Sequence, residues 1–162
     1  LDYLDKNKMT YAEHSHKALF TVEESKSFRG KMDGVHTKNL FLKDKKKNFF
    51  LLSCIENKGV NLKELRKVFN SGNLSFASPI YLMEILGISP GAVSPFSLIN
   101  DKTKVTKFYL DRDILNEKNV NFHPLDNKFT LNLSTNIFLE FIKSINVKLN
   151  LIDLKVYINN NE

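Results

Sequence analysis

Four histidines, one cysteine and a Lys-Asn pair at the head of an apolar run stand out among the 162 residues as groups able to do chemistry. His14 and His16 would place two imidazoles on one side of a strand, a possible metal pair, but no HExxH or Cys/His ligand spacing accompanies them. A Ser-His-Asp triad can be assembled on paper, yet the chain has no GxSxG nucleophile elbow. Neither GxGxxG nor GxxxxGK[ST] occurs, which withdraws support from a dinucleotide or P-loop cofactor. Cys54 stands alone, so no internal disulfide or Cys-based zinc site can form, and its apolar surroundings read as packing. Three segments remain: His36-Thr37-Lys38-Asn39 ahead of Leu40-Phe41-Leu42, Gly91-Ala92-Val93-Ser94-Pro95 with Asn100-Asp101 behind it, and Phe122-His123-Pro124 before Asn127 and Thr130.

The elements that must position them belong to one domain over residues 1–162, as expected for a chain of this length. Hydrophobic residues make up 42% and charged residues 26%, a composition that excludes a disordered or fibrous chain. Lys and Arg outnumber Asp and Glu by 24 to 18, a net charge of +6. Arg29, Arg66 and Arg112 are the only arginines, so the positive charge is nearly all lysine. Lysine suits diffuse attraction to phosphate better than bidentate reading of base edges, which favours a nucleic-acid partner and disfavours sequence-specific duplex DNA. The longest apolar run, Phe49 to Ile55 with Ser53 inside it, is far short of the ~20 residues of a membrane span. Asp2, Asp5, Lys6 and Lys8 interrupt any signal-like stretch in a chain that opens without Met, and the expectation is a soluble cytoplasmic protein with no membrane partner.

Periodicity and punctuation give the order of elements. Residues 1–17 read as a helix, Ala18–Val22 as a strand and Glu23–Arg29 as a short helix. Residues 39–42 and 48–55 form an antiparallel hairpin around a solvated charged tip, Lys43–Lys47. Asn61 caps a helix whose Leu62, Leu65, Val68 and Phe69 share a face; Leu74–Ala77 is a strand; Ser78 caps a helix that Gly87 ends. Residues 88–96 read as an irregular loop, 105–110, 120–123 and 129–133 as strands, and Ser134 or Thr135 as the cap of a last helix before an extended 149–154. Strands that follow one another without helical crossovers point to an α+β fold with a mixed, mostly antiparallel, curved, barrel-like sheet flanked by helices.

On the three segments named above, the chain resembles the YbaK-like prolyl-tRNA editing-domain superfamily, and within it the free-standing alanyl-tRNA(Pro) deacylases. The resemblance runs from about Ala18 to Leu154, with the segments in the right order. It implies that Lys38 is the superfamily's essential lysine and Asn39 its partner in the KN pair. It further implies that Gly91 through Pro95 form the GxxxP loop, whose backbone holds the aminoacyl group and reactive water, and that His123 is a pocket histidine. The chain departs from its relatives at Lys31-Met32-Asp33 before Gly34, a segment that is commonly more apolar there.

A physical reading of these residues agrees with hydrolysis of an aminoacyl ester. Such an ester is already activated, so the catalyst needs chiefly to place a water and stabilise an oxyanion, without a protein nucleophile or a metal or organic cofactor. Gly91 permits positive φ and close approach, while Pro90 and Pro95 fix the loop so that its N–H groups, those of Gly91 and Ala92 foremost, can donate. Lys38 offers a cation to a terminal phosphate or to the ester, and a small pocket admits Ala but excludes the proline ring. Asn39, Val93, Ser94, Pro95, Asn100, Asp101, His123 and Ser78 complete the candidate substrate-binding set. Each has a plainer reading: Lys38 as an exposed strand-edge lysine, Gly91 and Pro95 as loop punctuation, His123 as a turn histidine, Asn100-Asp101 as a turn, and Ser78 as a helix cap. The expected partner is the acceptor end of tRNA(Pro), with prolyl-tRNA synthetase a further candidate. The expected reaction is deacylation of Ala-tRNA(Pro); Cys-tRNA(Pro) or another mischarged tRNA, and a non-catalytic tRNA- or synthetase-binding module, are the alternatives.

Overall fold

The computed structural model describes residues 2–6, 9, 11–15, 34–122 and 129–154. The expected strand Ala18–Val22, the expected helix Glu23–Arg29, Lys31–Asp33 and His123 lie outside the described residues. The strands are β1 (Ala12–Ser15), β2 (Val35–Lys43), β3 (Phe49–Ile55), β4 (Ser75–Phe76), β5 (Thr106–Asp111), β6 (Asn119–Phe122), β7 (Phe129–Ser134) and β8 (Leu149–Ile152). They form a mixed sheet in the order β1-β7-β6-β2-β3-β5-β8, with β4 also on β2. The β1–β7, β2–β3, β2–β4 and β6–β7 pairs are antiparallel, and the β2–β6, β3–β5 and β5–β8 pairs are parallel. The α+β expectation holds. Residues 1–17 do not form one helix: among the described residues Asp2–Lys6 is helical, and Ala12–Ser15 pairs with β7, where backbone partners outweigh a weak helical pattern.

The β2–β3 hairpin is the centre of the sheet. Its rows alternate in register, sending Phe41, Phe49 and Leu51 to one face and Leu42, Phe50, Leu52 and Cys54 to the other. The turn is less solvated than its lysines suggest. Asp44 is only 2% exposed and accepts from Lys46 N (3.0 Å), Asn48 N (2.9 Å) and Asn48 Nδ2 (2.9 Å). The Asn48 side chain holds the Asp44 carboxyl below its ordinary pKa against the cost of burial, with backbone N–H groups assisting.

A helix lies over each face. Asn61 Oδ1 accepts from Lys63 N (2.9 Å) and Glu64 N (3.4 Å) to start Leu62–Phe69, and Asn70 ends it with φ +52°. Leu65 and Phe69 pack on the Phe50 face, with Phe69 stacked on Phe50 at 4.6 Å between centroids. On the other side Ser134 caps Thr135–Ser144 through Ile137 N (3.1 Å), and Phe138 and Phe141 join Phe96, Phe108 and Phe122 in the larger core. Pro79–Leu86 runs from a short α-turn into a π-turn, and Gly87 ends it with φ +66°. Ser78 has the backbone of an N-cap but makes no capping bond. Sequence punctuation concealed two 3₁₀ helices, Pro95–Asn100 and Arg112–Asn116. The first starts where Ser94 and Pro95, expected as irregular loop, provide a cap and an N1 proline. Among the described residues no helix is long and apolar enough to cross a membrane.

Phe50 tests the shared centre. Phe50→Ala is expected to cost about 3–5 kcal/mol in urea unfolding, and Phe50→Leu under about 1.5 kcal/mol. A loss below about 1 kcal/mol for Phe50→Ala would show that the packing of Leu62–Phe69 on the sheet does not depend on this ring.

Candidate functional site

β2 carries neighbours on only part of one edge. β3 covers Thr37 to Lys43 along one side; on the other, β6 pairs with Val35 and His36, and β4 with Leu42 and Lys43. Residues 37–40 lie between β6 and β4 with no strand partner on that edge among the described residues. Beside this gap opens a cleft of about 490 Å³, whose walls include Lys38, Leu40, Asn57, Lys58, Val60, Leu62 and Phe76. Phe76 is 62% exposed, and a smaller recess of about 220 Å³ adjoins through Glu56 and Asn57. The result is a cleft in which Lys38, Lys58 and Glu56 share the walls with aliphatic Leu40, Val60 and Leu62 and with an exposed aromatic ring.

Strand alternation places Lys38 opposite Cys54, on the face covered by Leu62–Phe69. Its Nζ donates to the carbonyl of Lys58. Lys58 is itself fixed, with Nζ 2.8 Å from Asp111 Oδ1 and 2.7 Å from Asp113 Oδ2. Burial works against the Lys58 ammonium, but hydrogen bonds and charge from these two carboxylates outweigh it and raise its pKa. Asp111 also accepts from Ile55 N (3.1 Å) and Asp113 N (3.0 Å), tying the end of β3 to the end of β5. The loop carrying Lys58 thus holds Lys38 at the cleft wall.

Asn39 points the other way. Its Oδ1 accepts from the hydroxyl of fully buried Ser53, on the face shared by Phe41 and Leu51. Thr37 Oγ1 donates to Asn121 O (2.9 Å) nearby, and Asn121 Oδ1 accepts from Asn132 Nδ2 (3.0 Å). The adjacent Lys and Asn therefore serve opposite faces, a consequence of the period of 2.

The Gly91–Pro95 loop packs into the core on the Asn39 side, and its residues do not line the Lys38 cleft. Gly91 is exposed with φ +92°, as its residue type allows. Ala92 is buried and its N–H donates to Ser89 O (3.2 Å), which removes it from the expected oxyanion donors. The N–H groups of Gly91 and Val93 have no acceptor among the described residues. Ser94 is buried; its Oγ accepts from Phe96 N (3.2 Å) and its carbonyl accepts from Ser97 Oγ and Ser97 N, so its side chain caps a helix. Pro95 is buried behind it.

Asn100 Nδ2 donates to Leu86 O (2.9 Å), and a Cβ on Gly87 would come within 3.2 Å of that amide. Asp101 accepts from Val105 N (3.2 Å) and Thr106 N (2.8 Å). Both residues brace loops, and Ser78 is exposed at the start of its helix. Sequence reading missed Phe76, Lys58, Asp111 and Asp113. Asp111-x-Asp113 and Lys58 lie more than 50 residues apart, and only the β3–β5 pairing joins them.

Cys54 is fully buried beside this charged group. Burial pushes its thiol up to about 12; Lys38 and Lys58 pull down, and Asp111 pushes up. It is no nucleophile near neutral pH. Alkylation by iodoacetamide at pH 8 is expected to fail in the folded protein and to proceed once urea unfolds it. Because the folded pKa lies above the unfolded value of 9.0, Cys54 lowers stability as pH rises through about 9 toward 12. Rapid alkylation of the folded chain at pH 8 would contradict the burial.

A family model of the aminoacyl-tRNA editing domain matches residues 16–141. The chain is similar to the mouse (Mus musculus) prolyl-tRNA synthetase associated domain-containing protein 1, 40% identical over 134 residues covering 80% of this chain and 79% of the relative. It is 32% identical over 142 residues, covering 87% of each, to the prolyl-tRNA editing protein ProX of Acetoanaerobium sticklandii. In fold it is similar to the hypothetical protein APE2540, with TM-score 0.70 at 17% identity, covering 92% of this chain and 95% of that one. A candidate trans-editing enzyme for prolyl-tRNA synthetase gives TM-score 0.66 at 18% identity, covering 88% and 85%.

Proposed function

The chain belongs to the aminoacyl-tRNA editing-domain family, and from that premise we propose that it is a trans-editing deacylase that hydrolyses the ester of mischarged Ala-tRNA(Pro). The observation that carries the reading is Lys38, fixed by the Lys58 carbonyl in a cleft with aliphatic walls and the open Phe76 ring. A terminal adenosine offers a phosphate for the ammonium and a base for the ring, chemistry that such a cleft can accept. The ester is then held within this cleft, where water has access.

In the reaction, water adds to the ester carbonyl carbon, giving a tetrahedral oxyanion. Collapse breaks the bond to the ribose oxygen, which takes up the proton, and alanine and tRNA leave. Lys38 holds the terminal phosphate and favours the developing negative charge. The N–H groups of Gly91 and Val93 are the remaining candidate donors of the Gly91–Pro95 loop. Asn39, on the opposite face of β2 and held there by the Ser53 hydroxyl, is a further candidate for positioning substrate, and His123 is another on the segment after β6. Discrimination against proline is steric. The partner is the acceptor end of tRNA(Pro), with prolyl-tRNA synthetase as a second partner, and the setting is the cytoplasm. No cofactor enters these steps.

A second reading, a tRNA-binding module without turnover, is favoured by one observation: Ala92, Ser94 and Pro95 are committed to packing and capping away from the Lys38 cleft.

Deacylation of Ala-tRNA(Pro), Cys-tRNA(Pro) and Pro-tRNA(Pro) by the purified protein separates these. The expected order is Ala fastest and Pro no faster than buffer, with Lys38→Ala lowering kcat/KM by about 10²–10³ and Phe76→Ala raising KM with kcat retained. A preference for Cys-tRNA(Pro) would change the substrate and keep the chemistry. Hydrolysis indistinguishable from buffer for every aminoacyl-tRNA, with tRNA binding retained, would replace the deacylase by the binding module.

A further inference from the structure

A second concavity lies where β5 projects beyond β8. The register starts β5 earlier than β8: Thr106 and Lys107 pair with Phe49 and Phe50 on one side, whereas β8 begins opposite Phe108. The uncovered corner forms a pocket of about 390 Å³ whose walls include Lys104, Thr106, Lys107, Asn146, Lys148 and Asn150. Among the described residues three lysines line it and no carboxylate does. The nearby carboxylate of Asp101 is occupied by the N–H groups of Val105 and Thr106.

The corner is built rather than frayed. Lys104 and Asn146 both adopt positive φ, +57° and +60°, outside the glycine positions where this is free. Lys104 Nζ donates to Ile145 O (2.8 Å), joining the loop before β5 to the loop before β8, and Asn150 Nδ2 donates to Phe108 O (3.0 Å). Within this frame the hydroxyl of Thr106 is buried and has no hydrogen-bond partner. An unpaired buried hydroxyl costs free energy that a polar ligand would recover. Lys107 and Lys148 are exposed on the rim, and the exposed Lys45, Lys46 and Lys47 of the hairpin turn come just before Phe49, the partner of Thr106.

We infer that this corner is a phosphate-binding site that holds the phosphodiester backbone of the tRNA stem, separate from the cleft that takes its aminoacylated end. The inference rests on the deacylase reading for the identity of the RNA. Lysines supply point charges without the planar fork that reads a carboxylate or base edge, so the site holds phosphate irrespective of sequence. The placement suits a stem. Lys38 pairs with Cys54 and Lys107 with Phe50, four residues apart along β3 and on the same face of the sheet. At ~3.3 Å per residue and ~4.8 Å per strand spacing, the two sites lie roughly 16 Å apart. One continuous RNA molecule reaches both.

The test is the binding of uncharged tRNA(Pro), which needs no hydrolysis, followed by anisotropy across a salt series. The double variant Lys107→Gln/Lys148→Gln is expected to bind about 5–20-fold more weakly at 150 mM salt and to lose between 1 and 2 from the slope of log K against log salt. Thr106→Val, which removes the hydroxyl without removing charge, is expected to weaken binding about 2–5-fold with the salt slope unchanged. The charge-matched control Lys118→Gln/Lys143→Gln, on exposed residues elsewhere, is expected to change affinity less than 2-fold. Deacylation of alanine esterified to a CCA trinucleotide, which has no stem, is expected to be unchanged in both double variants. Equal losses in the two double variants would reduce the effect to overall charge and overturn the site, as would wild-type affinity in Lys107→Gln/Lys148→Gln. Absence of turnover by the wild-type protein would overturn the deacylase reading alone, because the binding comparison stands without it.

Discussion

The antiparallel register of β2 on β3 is the constraint from which the rest of the molecule follows. Pairing Lys38 with Cys54 and Asn39 with Ser53 decides which side chain meets which layer. A slip of one residue would drive Phe41 and Leu51 out of the larger core and Leu42 and Leu52 out of the smaller one. Asp44 fixes this register at the turn by accepting from both Lys46 and Asn48. On the other side of β3 the registers of β5 on β3 and of β8 on β5 leave the lysine-lined corner open at the other end.

Electrostatics then positions the candidate lysine. Lys58 sits between Asp111 and Asp113, and its own carbonyl receives Lys38. A buried ion pair is weak evidence of net stability, since desolvation offsets much of the attraction. Its value here is geometric. It anchors the loop after β3 to the end of β5 and so directs a flexible lysine side chain at one wall of a cleft. Two groups of cations result, Lys38 in a cleft that the Phe76 ring also lines and a separate set of rim lysines roughly 16 Å away along the sheet.

Local signals carried much of the architecture. The Asn61 and Ser134 caps, the Leu62–Phe69 apolar face, the hairpin and Gly87 all appear where turn chemistry and periodicity place them. Failures occurred where a partner distant in sequence decides the outcome. Ala12–Ser15 becomes a strand because β7 is available to pair. Ser94 becomes a cap because Pro95 starts a 3₁₀ turn, a choice that two prolines and a glycine leave undetermined. Within the site, Lys38 was legible through family resemblance, but its separation from Asn39 follows from strand alternation, and its restraint by Lys58, Asp111 and Asp113 requires the folded chain. Ala92 shows the limit of motif reading: the loop sequence suggests a donor, while the turn back to Ser89 has already used that N–H.

The central claim is that Lys38 acts on an aminoacyl ester rather than merely holding RNA. Single-turnover deacylation of Ala-tRNA(Pro) at saturating enzyme separates the two, because the rate then reports chemistry and the concentration dependence reports binding. The expected result is a rate well above the buffer control in the wild-type protein, reduced at least 100-fold in Lys38→Ala even when all the substrate is bound. An equal saturating rate in both proteins, with only the concentration dependence shifted, would contradict the account and make Lys38 a binding residue alone.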